Sequence, residues 1–119
     1  MSVEAGKKYD NEKPMMYLLP PSALEAEARV WTFGMKKYDA FNWTKGLKYS
    51  RIISAMLRHI LEIMKGNDVD IESGELHAAH VRCCAAMLIE FTMSNRVELD
   101  DRMGSSKDQG GSHGTGEFK

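Results

Sequence analysis

The sequence predicts an all-α fold, a small bundle of three to four helices behind an extended N-terminal arm. Three observations carry this. Apolar residues recur at three- and four-residue spacing in three separate segments, the pattern of helices that bury one stripe. No segment alternates apolar and polar residues as a half-buried strand does. Proline and glycine punctuate the chain between the periodic segments, at Pro14, Pro20, Pro21, Gly46 and Gly66.

Residues 1–20 show neither period and read as an extended arm ending in Tyr17-Leu18-Leu19. Ser22 and Glu25 have capping-box spacing, in which the serine oxygen accepts a backbone N–H and the glutamate reaches back. The first helix is therefore expected over Ala23 to Lys37, with Leu24, Ala28, Trp31 and Met35 on one face. The aromatic-rich stretch from Tyr38 to Gly46 breaks the period and reads as a loop packed on the domain. Ser50 is placed to cap a second helix whose stripe is Ile52, Ile53, Met56, Leu57, Ile60, Leu61 and Met64. Gly66 supplies a left-handed stop. A third helix is expected from near Ser73 to about Asn95, carrying Leu76, Cys83, Cys84, Met87, Leu88 and Phe91. A fourth, short helix over Arg96 to Arg102 would complete the set. Beyond Met103 the Gly/Ser-rich composition has too little apolar area to offset its ordering entropy. The expected organisation is thus one domain over 1–103 and a flexible tail over 104–119.

At 119 residues with 43% hydrophobic content, the chain has material for one modest core. Sixteen basic against seventeen acidic side chains leave a formal charge of -1, which excludes a large basic footprint for nucleic acid. No apolar run approaches the ~20 residues of a membrane span, and the N-terminus lacks a signal-peptide pattern. The two cysteines, Cys83 and Cys84, are adjacent and make a poor crosslink, so a reducing cytoplasm is expected. Nine Met against four Phe suggest a pliable core or one completed by a partner chain. Met35, Met56, Met64 and Met87 are read as a shared helical interface, and a homodimer or homotetramer is expected.

Chemistry concentrates between the second and third helices. Joined by a short loop, they should pair antiparallel, which brings His59 level with His80. Glu62 shares a stripe with His59, and His77 with His80. The loop adds Asp68, Asp70 and Glu72 in alternation. Carboxylate-rich clusters suit Mg²⁺ or Mn²⁺, and a histidine-rich set suits a softer transition metal. Asp70, Glu72 and Ser73 are equally placed to cap a helix N-terminus. No histidine is followed by aspartate, which argues against an HD-type phosphohydrolase. Zinc-finger cysteine spacing and a phosphate-cradling glycine loop after a strand are also missing. Around the first half of the chain, Lys7, Lys8, Lys13, Lys36, Lys37, Lys45, Lys48, Arg51 and Arg58 interleave with Tyr9, Tyr38, Trp43 and Tyr49. Cations with flat rings suit a nucleoside triphosphate, with charge for phosphates and a surface for the base. Trp43 could as well pin its loop to the core.

Several runs together resemble a known family: Gly6-Lys7-Lys8-Tyr9-Asp10-Asn11-Glu12-Lys13-Pro14, Leu19-Pro20-Pro21, Phe33-Gly34-Met35-Lys36-Lys37-Tyr38, Asn42-Trp43 with Gly46, Arg58-His59, Asp70-x-Glu72-Ser73-Gly74 and His77-x-x-His80. They are similar to the N-terminal domain of phage dATP/dGTP diphosphohydrolases, related in architecture to all-α, MazG-like pyrophosphohydrolases. The resemblance covers residues 6–92. It implies Mg²⁺- or Mn²⁺-dependent hydrolysis of a purine deoxynucleoside triphosphate to monophosphate and pyrophosphate, in the cytoplasm of an infected bacterium. All-α pyrophosphohydrolases carry Glu-x-x-Glu and Glu-x-x-Asp pairs. Here Glu25 and Glu27 lie two apart, and Lys65 stands three after Glu62. Two outcomes follow: the His/Asp/Glu cluster replaces the quartet, or the protein binds a nucleotide without cleaving it. On the first, Glu62, His59 and Glu72 are the catalytic candidates, and Asp70, Glu72, His77 and His80 the metal ligands. Lys13, Lys37, Tyr38, Asn42, Trp43, Arg51 and Arg58 would hold substrate. A third reading is a helical assembly factor with structural histidines.

Overall fold

The computed structural model describes residues 5–104 and is all-α, with α1 (Pro21–Tyr38), α2 (Tyr49–Met64) and α3 (His77–Met93). Single 3₁₀ turns occur at Met16–Leu18, Asn42–Lys45 and Val97–Leu99. The expected tail from Ser105 onward lies outside the described residues. The arm is extended apart from its 3₁₀ turn and a turn before it, where the Lys13 N–H donates to the Asp10 carbonyl and Glu12 takes φ 70°. The expected fourth helix is reduced to the Val97–Leu99 turn.

Helix α3 is the centre, with α1 and α2 both packed on it. Ala26 and Val30 of α1 meet Ala79 and Cys83 of α3, flanked by Trp31 and Met87. The small side chains of Ala26 and Ala79 allow the two helices to approach closely. The second cluster joins Tyr49 and Ile52 of α2 to Phe91 of α3 and Leu99 beyond it. Met87 borders both clusters, so one flexible side chain makes the core continuous. Helices α2 and α3 run antiparallel as expected. The Tyr49 hydroxyl lies 3.1 Å from Thr92 Oγ1 at one end, and His59 meets His77 at the other.

The helix starts differ from those expected. Helix α1 begins at Pro21 with Pro20 in the cap position, and no side chain caps it. A proline in the first turn has no N–H to satisfy and a preset φ, so the Ser22–Glu25 capping box is not needed. Ser50 lies inside α2 and donates instead of accepting. Its backbone N–H reaches Asp101 Oδ1 at 2.8 Å and its hydroxyl reaches Oδ2 at 2.6 Å. These bonds hold the Asp101 carboxyl below its ordinary range and tie the C-terminal segment to the start of α2. Helix α3 begins at His77, four residues after Ser73, because the intervening chain forms a turn that no helix accommodates.

Two helix ends follow one rule. After α2, the Asn67 N–H donates to the Glu62 carbonyl and the Gly66 N–H to that of Ile63, with Gly66 at φ 92°. This is a Schellman motif on the glycine the sequence offered. After α3, Arg96 and Asn95 repeat it onto Phe91 and Thr92, with Asn95 in the left-handed position at φ 59°. The turn aims Arg96 back across Phe91, and its guanidinium donates to the carbonyls of Thr44 and Lys45. Gly46 (φ 103°) lies beneath, where an added Cβ would sit 2.7 Å from Arg96 Nη2 and 3.0 Å from Leu99 Cδ2. The aromatic loop is therefore locked by the C-terminal strap. Replacing Phe91, only 2% exposed, with Ala should remove about 3–5 kcal/mol of stability, read as a lower midpoint in urea melts.

Candidate functional site

The connection between α2 and α3 is a tight hairpin. The Asp70 N–H donates to the Glu75 carbonyl and the His77 N–H to that of Asp68, both at 2.8 Å, around an isolated antiparallel bridge between Val69 and Leu76. Gly74, at φ 76°, closes the turn by donating to the Asp70 carbonyl at 2.7 Å. This pairing fixes Asp70 and His77 within one rigid unit. Glu72, at the tip, is left outward.

Three histidines meet on that unit. His59 Nδ1 lies 2.8 Å from Nδ1 of the buried His77, and the His80 ring stacks on His59 at 4.4 Å with 9° between planes. Ligand atoms of His59, Asp70 and His77 all fall within 4.8 Å of one another. Two nitrogens bound about 2.1 Å from a common ion at a right angle are about 3 Å apart, so the His59–His77 spacing fits a shared cation. Asp70 Oδ2 accepts from the Ser73 hydroxyl at 2.8 Å and the Ser73 N–H at 2.9 Å. The Ser73 hydroxyl also lies 2.7 Å from His80 Nε2.

An open cleft of about 610 Å³ adjoins this group, lined by Glu62, residues 66–72 and His77. Glu62 accepts from Asn67 Nδ2 and Lys65 Nζ, which hold its carboxyl below the ordinary range. Lys37 reaches across from α1 to Glu72 Oε2 at 2.7 Å, and Arg29 reaches Glu75 at 3.0 Å. The two cations lie eight residues apart, about 12 Å along the helix, so α1 clamps both sides of the hairpin. The Glu72 bond, and the bond to Tyr38 next to it, raise the Lys37 pKa.

The family profile described as dATP/dGTP diphosphohydrolase, N-terminal, matches residues 3–102. The chain belongs to this family. A curated relative, the dATP/dGTP diphosphohydrolase of Salmonella phage PMBT28, is 42% identical over 101 residues, or 85% of this chain and 34% of the relative. The chain thus spans about a third of the length of that relative. No solved structure matches it. Among the described residues, no helix is long and apolar enough to cross a membrane.

The family member's structure gathers only part of the residue set proposed from sequence. His59, Asp70, His77 and His80 come together, whereas Glu62 and Glu72 line the adjoining cleft, with Glu72 turned out to Lys37 at the rim. Tyr38 follows Lys37 and is 55% exposed, with the Lys37 ammonium 5.3 Å from its ring centre. Arg58 is exposed beside His59, and its charge is among those lowering the His59 pKa. Trp43 packs in the second core cluster, 5.4 Å from Trp31 and 5.9 Å from Phe91 between ring centres. Asn42 starts the 3₁₀ turn beside it. Arg51 lies eight residues before His59, about 12 Å towards the other end of α2. Lys13 sits exposed on the arm. Ser73, Glu75, Arg29 and Asn67 join the site without having been singled out for it. Only the Asp70-to-Ser73 spacing, that of a side chain closing its own turn, was a readable signal.

The thiols carry no chemistry here. Burial pushes Cys83 up to about 12 and raises Cys84 as well, so neither is a nucleophile at neutral pH. Burial lowers His59 first of all, helped by the charges of His80 and His77. It likewise lowers His80, against the opposing pull of Asp70. Burial would raise Asp70, but the two Ser73 bonds outweigh it and keep the carboxyl ionised. Below pH ~6.5 the unfolded chain therefore takes up protons that folded His59 and His80 resist, so stability present above that pH is lost as pH falls. Thermal melts should give a lower Tm at pH 5.5 than at 7.5, and His59→Gln should narrow the difference.

Proposed function

We propose that this domain hydrolyses the purine deoxynucleoside triphosphates dATP and dGTP to monophosphate and pyrophosphate. The observation that carries the reading is the convergence of His59, His77 and Asp70 beside an acid-lined cleft with Lys37 at its rim. The family and the name of the phage relative support nucleotide hydrolysis.

His59, His77 and Asp70 would hold a divalent cation, with Glu72 and His80 at hand from the same hairpin and helix. Two imidazoles and one carboxylate suit Mn²⁺ better than Mg²⁺, which prefers oxygen donors. The ion would supply Lewis acidity, drawing charge off the phosphate oxygens. Lys37 and Arg58 would bind the phosphates, and Tyr38 offers an exposed ring for the base. Glu62, kept ionised by Asn67 and Lys65, orients the water that attacks the α-phosphorus as the bond to the pyrophosphate oxygen breaks. A panel of nucleotides with Mn²⁺ or Mg²⁺, read by product identity, should show pyrophosphate from dATP or dGTP, reduced about 100-fold or more in His77→Ala. No pyrophosphate from any nucleotide would sink the reading.

One observation favours binding without turnover. Glu27 is held by Trp31 Nε1 at 2.9 Å and Arg82 Nε at 3.2 Å, so one of the two α1 acids is engaged in packing α1 on α3. A thermal shift with nucleotide and no product would establish that alternative.

The domain is further proposed to act as a homo-oligomer. Leu57, Leu61 and Met64 lie at helical spacing along α2 and are 53%, 51% and 76% exposed. A second copy laid along this stripe would cover it. Light scattering should return a mass of two or four chains, and a monomer at micromolar concentration would refute this.

A further inference from the structure

Ser73 looked like a helix cap in the sequence, but it caps nothing. Its hydroxyl sits among three partners: Asp70 Oδ2 at 2.8 Å, His80 Nε2 at 2.7 Å and the Glu75 N–H at 3.1 Å. A hydroxyl has one proton to donate and two lone pairs to accept with. Asp70 Oδ2 already accepts the Ser73 backbone N–H at 2.9 Å and is the acceptor at this point, so the Ser73 hydroxyl proton must lie on the Asp70 bond. The Glu75 N–H takes one lone pair. The short contact to His80 can then be a hydrogen bond only if His80 Nε2 carries a proton and donates it to Ser73. This holds whether the ring is neutral or charged.

We propose that Ser73 is a positioning residue of the site: its single hydroxyl fixes His80 as the Nε2–H tautomer and holds the Asp70 carboxylate in place. The neutral His80 ring then presents its basic Nδ1 from a plane stacked 4.4 Å over His59. Asp70 Oδ2 is occupied by both Ser73 bonds, and among the described residues no hydrogen bond engages Oδ1, which is the oxygen left for a ligand. One side chain thereby sets the proton arrangement of one ring and the orientation of a carboxylate, as groups behind a metal site commonly do. The hairpin makes this possible. Its Asp70–Glu75 backbone pairing places Ser73 in the turn, and the first turn of α3 places His80 against it. The inference rests on the cation-site reading of His59, His77 and Asp70 for its functional meaning, but the tautomer itself does not depend on it.

The test is long-range ¹H–¹⁵N correlation of the histidine rings in the metal-free full chain at pH 7.5, with His80 assigned from His80→Gln. The expected spectrum has a protonated-type shift at Nε2 and a bare, pyridine-type shift at Nδ1. Ser73→Ala should average the two shifts, and Ser73→Thr, which keeps the hydroxyl, should restore them. The wild-type spectrum alone decides if Ser73→Ala fails to fold. A bare Nε2 in the wild type, or an unchanged His80 spectrum in a folded Ser73→Ala protein, would overturn the proposal. In a Mn²⁺ titration, Ser73→Ala should weaken binding about 10- to 100-fold. A wild type that binds no Mn²⁺ yet shows the expected tautomer would sink the cation reading and leave the role of Ser73 standing.

Discussion

Everything in this domain hangs on the antiparallel docking of α2 against α3. At one end, Phe91 inserts among Tyr49, Ile52 and Leu99, and this apolar contact sets the register of the pair. At the other end, the same register brings His59 against His77. A slip of one helical turn, about 5.4 Å, would separate the two imidazoles and end any shared ligand geometry. The core is small, with no large side chain wholly enclosed among the described residues, so the register depends on a few well-packed residues and on the straps that reinforce them.

Those straps come from outside the helix pair. Arg96 crosses Phe91 to the carbonyls of the aromatic loop, and Asp101 receives both donors of Ser50. From the other side, α1 reaches the hairpin through Arg29 and Lys37. The latter two ion pairs are exposed and individually worth little, about 1 kcal/mol or less. They matter for placement. Lys37, a phosphate ligand in the proposed reaction, is already held at the cleft by Glu72, and a triphosphate entering there would compete for it.

Much of the fold was readable from local pattern, because the features concerned are local. The helical period of α2, the glycine stop at Gly66 and the break at the aromatic loop depend on near neighbours in the chain. Which part of the α2 stripe is buried does not: Ile52 is enclosed, whereas Leu57, Leu61 and Met64 are exposed. The misplaced starts have a common cause. Ser22, Ser50 and Ser73 all look like N-caps by spacing, but the groups that surround a position in the fold, and not its spacing, decide whether it caps. Pro20–Pro21 made the first unnecessary, Asp101 took the second, and the Asp70 turn took the third. The candidate site was legible as a set of residue types between two helices. Trp43, attractive as a base platform by composition, lies in the core because Trp31 and Phe91 converge on it from two different helices.

By itself the sequence determined the all-α class, the antiparallel pairing of the second and third helices, and the gathering of His59, His77, His80 and the loop acids at one end. Short-range periodicity and loop length suffice for these. Tertiary structure alone decided which atoms face each other. That Nδ1 meets Nδ1 across two helices, that Lys37 spends its charge on Glu72, and that Ser73 joins Asp70 to His80 all depend on side-chain directions set by long-range packing. Hydrogen-bond chemistry is sensitive to differences of a few tenths of an ångström, whereas sequence spacing resolves position only to about one helical turn.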